Sequence, residues 1–104
     1  MKNKTALEAL HLGRVAALGC IVCGMSAGCH HIRHQAGMGR KNSHFEAIPL
    51  CPDHHQTGGY GVAFHAGPRE WERRYGTERE LLAVVMAKLE QLYGRYWDVQ
   101  NQVC

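Results

Sequence analysis

Two short knuckles constrain this chain more than any other feature in it. Cys20 and Cys23 form a C-x-x-C, and Cys51 and His54 form a C-x-x-H. At that spacing two donors from one tight turn reach the same tetrahedral ion, so the knuckles together supply four ligands. A closed Cys3His set is structural, and zinc is the ion it suits. Its binding energy acts as folding energy. That matters in a chain of 104 residues, because a small domain buries a smaller fraction of its surface than a large one. The plainer alternative makes the C-x-x-C a buried or redox pair, but the second knuckle favours metal.

The length fits one domain, expected to span residues 1–104. With 45% hydrophobic residues the chain is not a disordered tail. No apolar run is long enough for a signal peptide or a membrane span, so no membrane association is expected and the protein reads as cytoplasmic. Thiols stay reduced there, and the odd count of five cysteines argues against a closed disulfide framework. Cys29 could compete as a ligand but reads better as a small residue opening a buried strand, and Cys104 as a free thiol in the tail. The formal charge of +3 permits nucleic acid as a partner without establishing one.

Local signals outline an α+β arrangement. Thr5 and Glu8 form a capping box that opens a helix to about Leu18, stopped by Gly19, with Leu7, Leu10 and Ala17 or Leu18 near one face. Strands are predicted in "CHHIRH" and "FEAIPL", joined by the polar, basic loop "QAGMGRKNSH". "CPDHHQT" begins a helix that "GGYG" breaks. Pro68 opens a brief helix ending at Gly76, with Trp71 turned to the core and its charged residues in solvent. A second capping box, Thr77 and Glu80, opens the clearest helix, in which Leu81, Val84, Val85, Lys88, Leu89 and Leu92 recur at helical spacing up to Gly94. The chain thus divides into a helix over 1–19, knuckles and core over 20–65, helices over 66–93 and a tail over 94–104.

The zinc set leaves several histidines over. Neighbouring helical side chains diverge by about 100°, so if His54 holds zinc, His55 points elsewhere. His30 and His31 face opposite sides of a strand. The remaining set is His30, His31, His55 and His65, and its natural meeting place is the seam between the hairpin and the short helix. His11 stands alone on a helix and reads as an ordinary surface or core residue.

The order C-x-x-C, "HHI", "IPLC", x-x-H-H resembles the HNH endonucleases, whose ββα-metal (His-Me finger) fold wraps two strands and a helix around a catalytic divalent ion. Through "HHIRHQAGMGRKNSHFEAIPLCPDHH", "GVAFHAG" and "WERRYGTERELL" the chain is most similar to the phage recombination-enhancement (Ref-type) nucleases that act with RecA. The resemblance runs from about Cys20 to Leu92. It implies a zinc-stabilised ββα-metal core with flanking helices, cleaving DNA phosphodiesters by a one-metal mechanism to a 5'-phosphate and a 3'-hydroxyl. It makes His31 the general base and places His30 and His55 as catalytic metal ligands. His65 is the third ligand, brought back by the "TGGYG" loop, because Gly59 stands where the family's usual ligand lies. Magnesium or manganese is the implied working ion, although three histidines would also hold zinc or nickel. Glu46 occupies the position of the family's middle Asn. Asn42, His44 and Glu46 are all candidates for the supporting role, with His44 orienting the base or touching phosphate.

Arg33, His34, Arg40 and Lys41 lie on the hairpin and its loop, where they could grip backbone phosphates, and Lys2, Lys4 and Arg14 add charge from the first helix. No helix carries a base-reading pattern, so backbone binding without sequence specificity is expected. The resemblance adds a RecA filament as partner and a phage or prophage origin, although such relatives can carry a basic N-terminal segment that this chain nearly lacks. Two rival readings stand beside it. A noncatalytic zinc module binding nucleic acid or protein explains the knuckles and basic loop but gives the spare histidines no reason to converge. A metal-dependent hydrolase of another substrate explains the histidines but not the basic hairpin.

Overall fold

The computed structural model describes residues 4–33 and 43–97. Helix α1 (Ala6–Ala17) is followed by strands β1 (Gly28–His31) and β2 (Ala47–Leu50), a π-helical turn (Asp53–Thr57) and a 3-10 turn (Phe64–Ala66). Helices α2 (Pro68–Tyr75) and α3 (Glu78–Tyr93) complete the order. The strands form one antiparallel pair in which His30 faces Ile48 and His31 faces Ala47. This is the small α+β arrangement expected, with shorter strands. Residues 34–42 of the connecting loop, and with them His34, Arg40, Lys41 and Asn42, lie outside the described residues, as do Lys2 and Cys104.

Both capping boxes form: Thr5 accepts from the Glu8 amide and Thr77 from the Glu80 amide, and each Glu returns the bond to its cap. All four residues of β2 are buried, because α1 and α3 both pack against it. Its sequence therefore runs apolar throughout instead of alternating. Pro49 is tolerated in this two-stranded sheet, and its carbonyl accepts the Ile21 amide at 2.9 Å, tying the first knuckle to β2.

The core joins Val15, Ile32, Ile48, Leu50, Phe64, Trp71, Leu82, Val85 and Leu89 to Cys20 and Cys51. Trp71 points inward as expected, its ring edge-on to Phe64 and Tyr75. The buried stripes are rotated from those predicted. In α1 the buried residues are His11 and Val15, while Leu10 is exposed. In α3 they are Glu78, Leu82, Val85 and Leu89, while Val84 and Leu92 face solvent. Helical spacing alone does not choose among neighbouring stripes of similar apolarity; packing against β2 does.

His11 is a core residue, fully buried among Phe45, Tyr96 and Trp97, with Nδ1 2.8 Å from the Tyr96 hydroxyl and Nε2 without a well-formed hydrogen bond among the described residues. Burial, and then the nearby Arg14 charge, lowers its pKa from 6.5 to about 4. The unfolded chain binds this proton near pH 6.5 and the native state refuses it until about pH 4. Its contribution to stability is therefore complete above the upper value and is lost as pH falls through that window, by about 2 kcal/mol at pH 5. Denaturant titrations at about pH 7.5 and pH 5 should show this acid-linked loss in the wild type and a loss smaller by that amount in a His11→Phe variant.

Candidate metal centres

The first knuckle turns tightly between α1 and β1. The Gly24 amide donates to the Cys20 carbonyl and the Cys20 amide to that of Met25, each at 2.8 Å. Burial acts to raise the Cys20 thiol, but the amides of Cys51, Cys23 and Val22 aimed at its sulfur bring it below the ordinary value. A thiolate is the metal ligand, so this environment favours the binding form. The second knuckle follows β2 directly. Cys51 is buried at the strand end, and the π-helical turn swings His54 back over it.

The four donors come together. Cys23 Sγ lies 3.7 Å from Cys51 Sγ, Cys20 Sγ 3.7 Å from His54 Nδ1, and Cys51 Sγ 3.2 Å from the same nitrogen. All four atoms lie within 4.8 Å of one another. The sulfurs are free thiols rather than disulfides, and three soft sulfurs with one imidazole are the donor set of a structural zinc site. Cys29 stays outside the cluster: it is part-buried at the start of β1 and donates to the Leu12 carbonyl at 3.2 Å.

A second cluster sits one residue away. The π-helical turn is closed by the Gly58 amide donating to the Asp53 carbonyl at 2.9 Å, and it directs His55 away from the sulfurs. His55 Nε2 lies 3.2 Å from His30 Nδ1 and 3.0 Å from His65 Nε2. His65 reaches this point across ten residues because the intervening loop reverses sharply. Gly59 and Gly61 both sit at φ +85°, a conformation open to glycine at little cost, and Gly61 packs under the Arg74 guanidinium. Burial, and then charge on the neighbouring His30, lowers the pKa of both His55 and His65. Neutral imidazoles with converging nitrogens are suitable donors for a first-row divalent ion. The structure brings His30, His55 and His65 together, with their donor nitrogens within 4.8 Å of one another.

His31 is not in this cluster. It is the last residue of β1 and leaves the opposite face, where Nε2 meets His44 Nδ1 at 2.9 Å. Burial first, then the charges of His44, His30 and Lys4, lowers its pKa. Glu46 is drawn toward α3, where Arg79 bonds its carboxylate at 2.8 Å. Arg33 lies over the Phe64 ring, exposed but paired with Glu78 and, at longer range, with Glu72.

Glu78 is the residue sequence reasoning missed. It is buried at the first position of α3, and it accepts from His30 Nε2 at 2.8 Å and from Arg33 Nε at 2.8 Å. Burial acts to raise this carboxyl, but the bonds from His30 and Arg33 hold it below the ordinary range. One signal was available: Glu78 shares a helical stripe with Leu82, Val85 and Leu89.

Fold and clusters define a small α+β protein with two candidate metal centres, one sulfur-rich and closed, the other built of imidazoles. Residues 4–90 match the family described as recombination enhancement, RecA-dependent nuclease, and the chain belongs to that family. No curated protein matches it.

The sulfur-rich centre carries a direct prediction. The most tightly held zinc, measured by elemental analysis after dialysis against a mild chelator, should vanish in a Cys51→Ser variant together with the cooperative thermal transition. A His65→Ala variant should keep both.

Proposed function

We propose that this chain is a metal-dependent HNH endonuclease that hydrolyses DNA phosphodiesters during recombination in a phage or prophage setting, with a RecA filament as its context. The observation that carries this reading is the convergence of His30, His55 and His65 beside a separate, closed Cys3His set. The family's description as a nuclease supports the reaction class. Both centres belong to one domain spanning the chain, and the strand pair with the turn after it supplies the ββα-metal core.

Cys20, Cys23, Cys51 and His54 hold structural zinc. His30, His55 and His65 hold the working divalent ion, magnesium or manganese in use, with zinc or nickel as alternatives in isolated protein. When bound, that ion supplies positive charge to the scissile phosphate and the departing oxyanion.

His31 takes a proton from the attacking water. With His44 Nδ1 accepting from His31 Nε2–H across their 2.9 Å contact, the Nδ1 lone pair of His31 is left for the water. His44 then holds the base in orientation as a carboxylate does in a hydrolase triad. Because His30 and His31 leave opposite faces of β1, the scissile phosphate lies across the strand end, metal ligands on one side and base on the other. Arg33, His34, Arg40 and Lys41 grip flanking phosphates, while Asn42 and Glu46 stand with His44 as candidates for the supporting role beside the base. These contacts read the backbone, so cleavage is insensitive to base sequence.

No helix of the described residues is long and apolar enough to cross a membrane. A noncatalytic zinc module would need only the Cys3His set, leaving three close imidazoles unexplained.

The test is incubation with single-stranded, duplex and RecA-coated DNA, with and without magnesium or manganese. Cleavage should require the divalent ion and fall about 100- to 10,000-fold in a His31→Ala variant. Absence of cutting under every condition would favour the noncatalytic module, and a fully active His31→Ala would remove His31 from the role of base.

A further inference from the structure

We propose that Glu78 is the positioning residue that fixes His30 with Nδ1, rather than Nε2, presented to a metal. The inference rests on the reading of His30, His55 and His65 as a divalent-ion site. An ionised carboxylate only accepts hydrogen bonds. The 2.8 Å contact between His30 Nε2 and Glu78 Oε2 therefore puts the ring proton on Nε2. In the singly protonated form that binds a metal, the lone pair is then on Nδ1, the atom 3.2 Å from His55 Nε2.

The carboxylate is itself held. Arg33 reaches it twice, through Nε to Oε1 at 2.8 Å and through its backbone amide to Oε2 at 3.1 Å. His30 is 4% exposed and Glu78 5%, so an unpaired charge here would be costly. The bonds from Arg33 and His30 offset that cost and leave the carboxylate little freedom to turn. Glu78 enters from the first turn of α3, whose buried stripe of Leu82, Val85 and Leu89 anchors it in the core. The imidazole is thus clamped on its far side by a different element from the strand that carries it. A carboxylate behind a ligating histidine fixes the ring and raises its basicity, and its loss costs about 10- to 100-fold in metal affinity.

The test uses full-length protein carrying zinc in the sulfur-rich site, with Mn2+ as the probe. In the wild type, nitrogen-15 NMR should show His30 protonated at Nε2, with a downfield-shifted proton protected from exchange. In a Glu78→Leu variant that proton should lose its downfield shift and protection, and calorimetric Mn2+ affinity should fall about 10- to 100-fold. Glu78→Gln keeps a neutral acceptor without the charge and should fall between them. The wild-type spectrum needs no variant to fold: His30 protonated at Nδ1 in the wild type overturns the proposal outright. So does a folded Glu78→Leu protein with wild-type Mn2+ affinity. If His55→Ala and His65→Ala also bind Mn2+ as the wild type does, the metal reading itself fails and takes this proposal with it. Failure confined to the Glu78 variants leaves the metal reading standing.

Discussion

The turn from Cys51 to Thr57 is the constraint on which the rest of the structure depends. Its first residue sits at the buried end of β2 and supplies a sulfur to one cluster. Three residues later His54 supplies a nitrogen to the same cluster, and the next residue, His55, supplies one to the other. A π-helical turn is short and rare, and such turns occur often at functional sites. Here it separates two neighbouring imidazoles into two sets of donors while keeping their backbones rigidly joined. Anything that loosens the sulfur cluster therefore misplaces His55 as well.

Around that turn, other parts of the fold hold the remaining donors in place. The Pro49 carbonyl anchors the first knuckle, and with it Cys20 and Cys23. Two left-handed glycines return His65. The start of α3 clamps His30 through Glu78, and the same helix draws Glu46 toward Arg79. The small core does double duty: Phe64 packs against the His30 ring, with centroids 4.5 Å apart, and also against Trp71. Stability and site geometry thus share residues, which is to be expected where so little apolar surface can be buried.

What could be read from the sequence follows from how local each constraint is. The Cys3His set was legible because both knuckles are chelating pairs with fixed short spacing. The divergence of His54 from His55, and of His30 from His31, followed from backbone periodicity alone. That His65 would join the spare histidines was read from what the zinc set leaves over, and the resemblance added its role as third ligand; the loop that returns it, closed by glycine conformations, leaves no periodic trace. Glu78 was overlooked for a different reason, although it shares the stripe of Leu82, Val85 and Leu89. An acidic residue just after a capping threonine is explained by the helix dipole, and nothing local announces a partner 48 residues earlier on β1. The exposed Leu10, Val84 and Leu92 show the same limit from the apolar side. Periodicity says that a helix has a buried face, and tertiary packing decides which one.

The central claim is that two ions divide His54 and His55 between them. Anomalous diffraction from crystals grown with zinc and then soaked in manganese tests it most directly. The account predicts a zinc peak among Cys20, Cys23, Cys51 and His54 and a manganese peak among His30, His55 and His65. A single ion bound by both His54 and His55, or manganese density away from the three imidazoles, would contradict it.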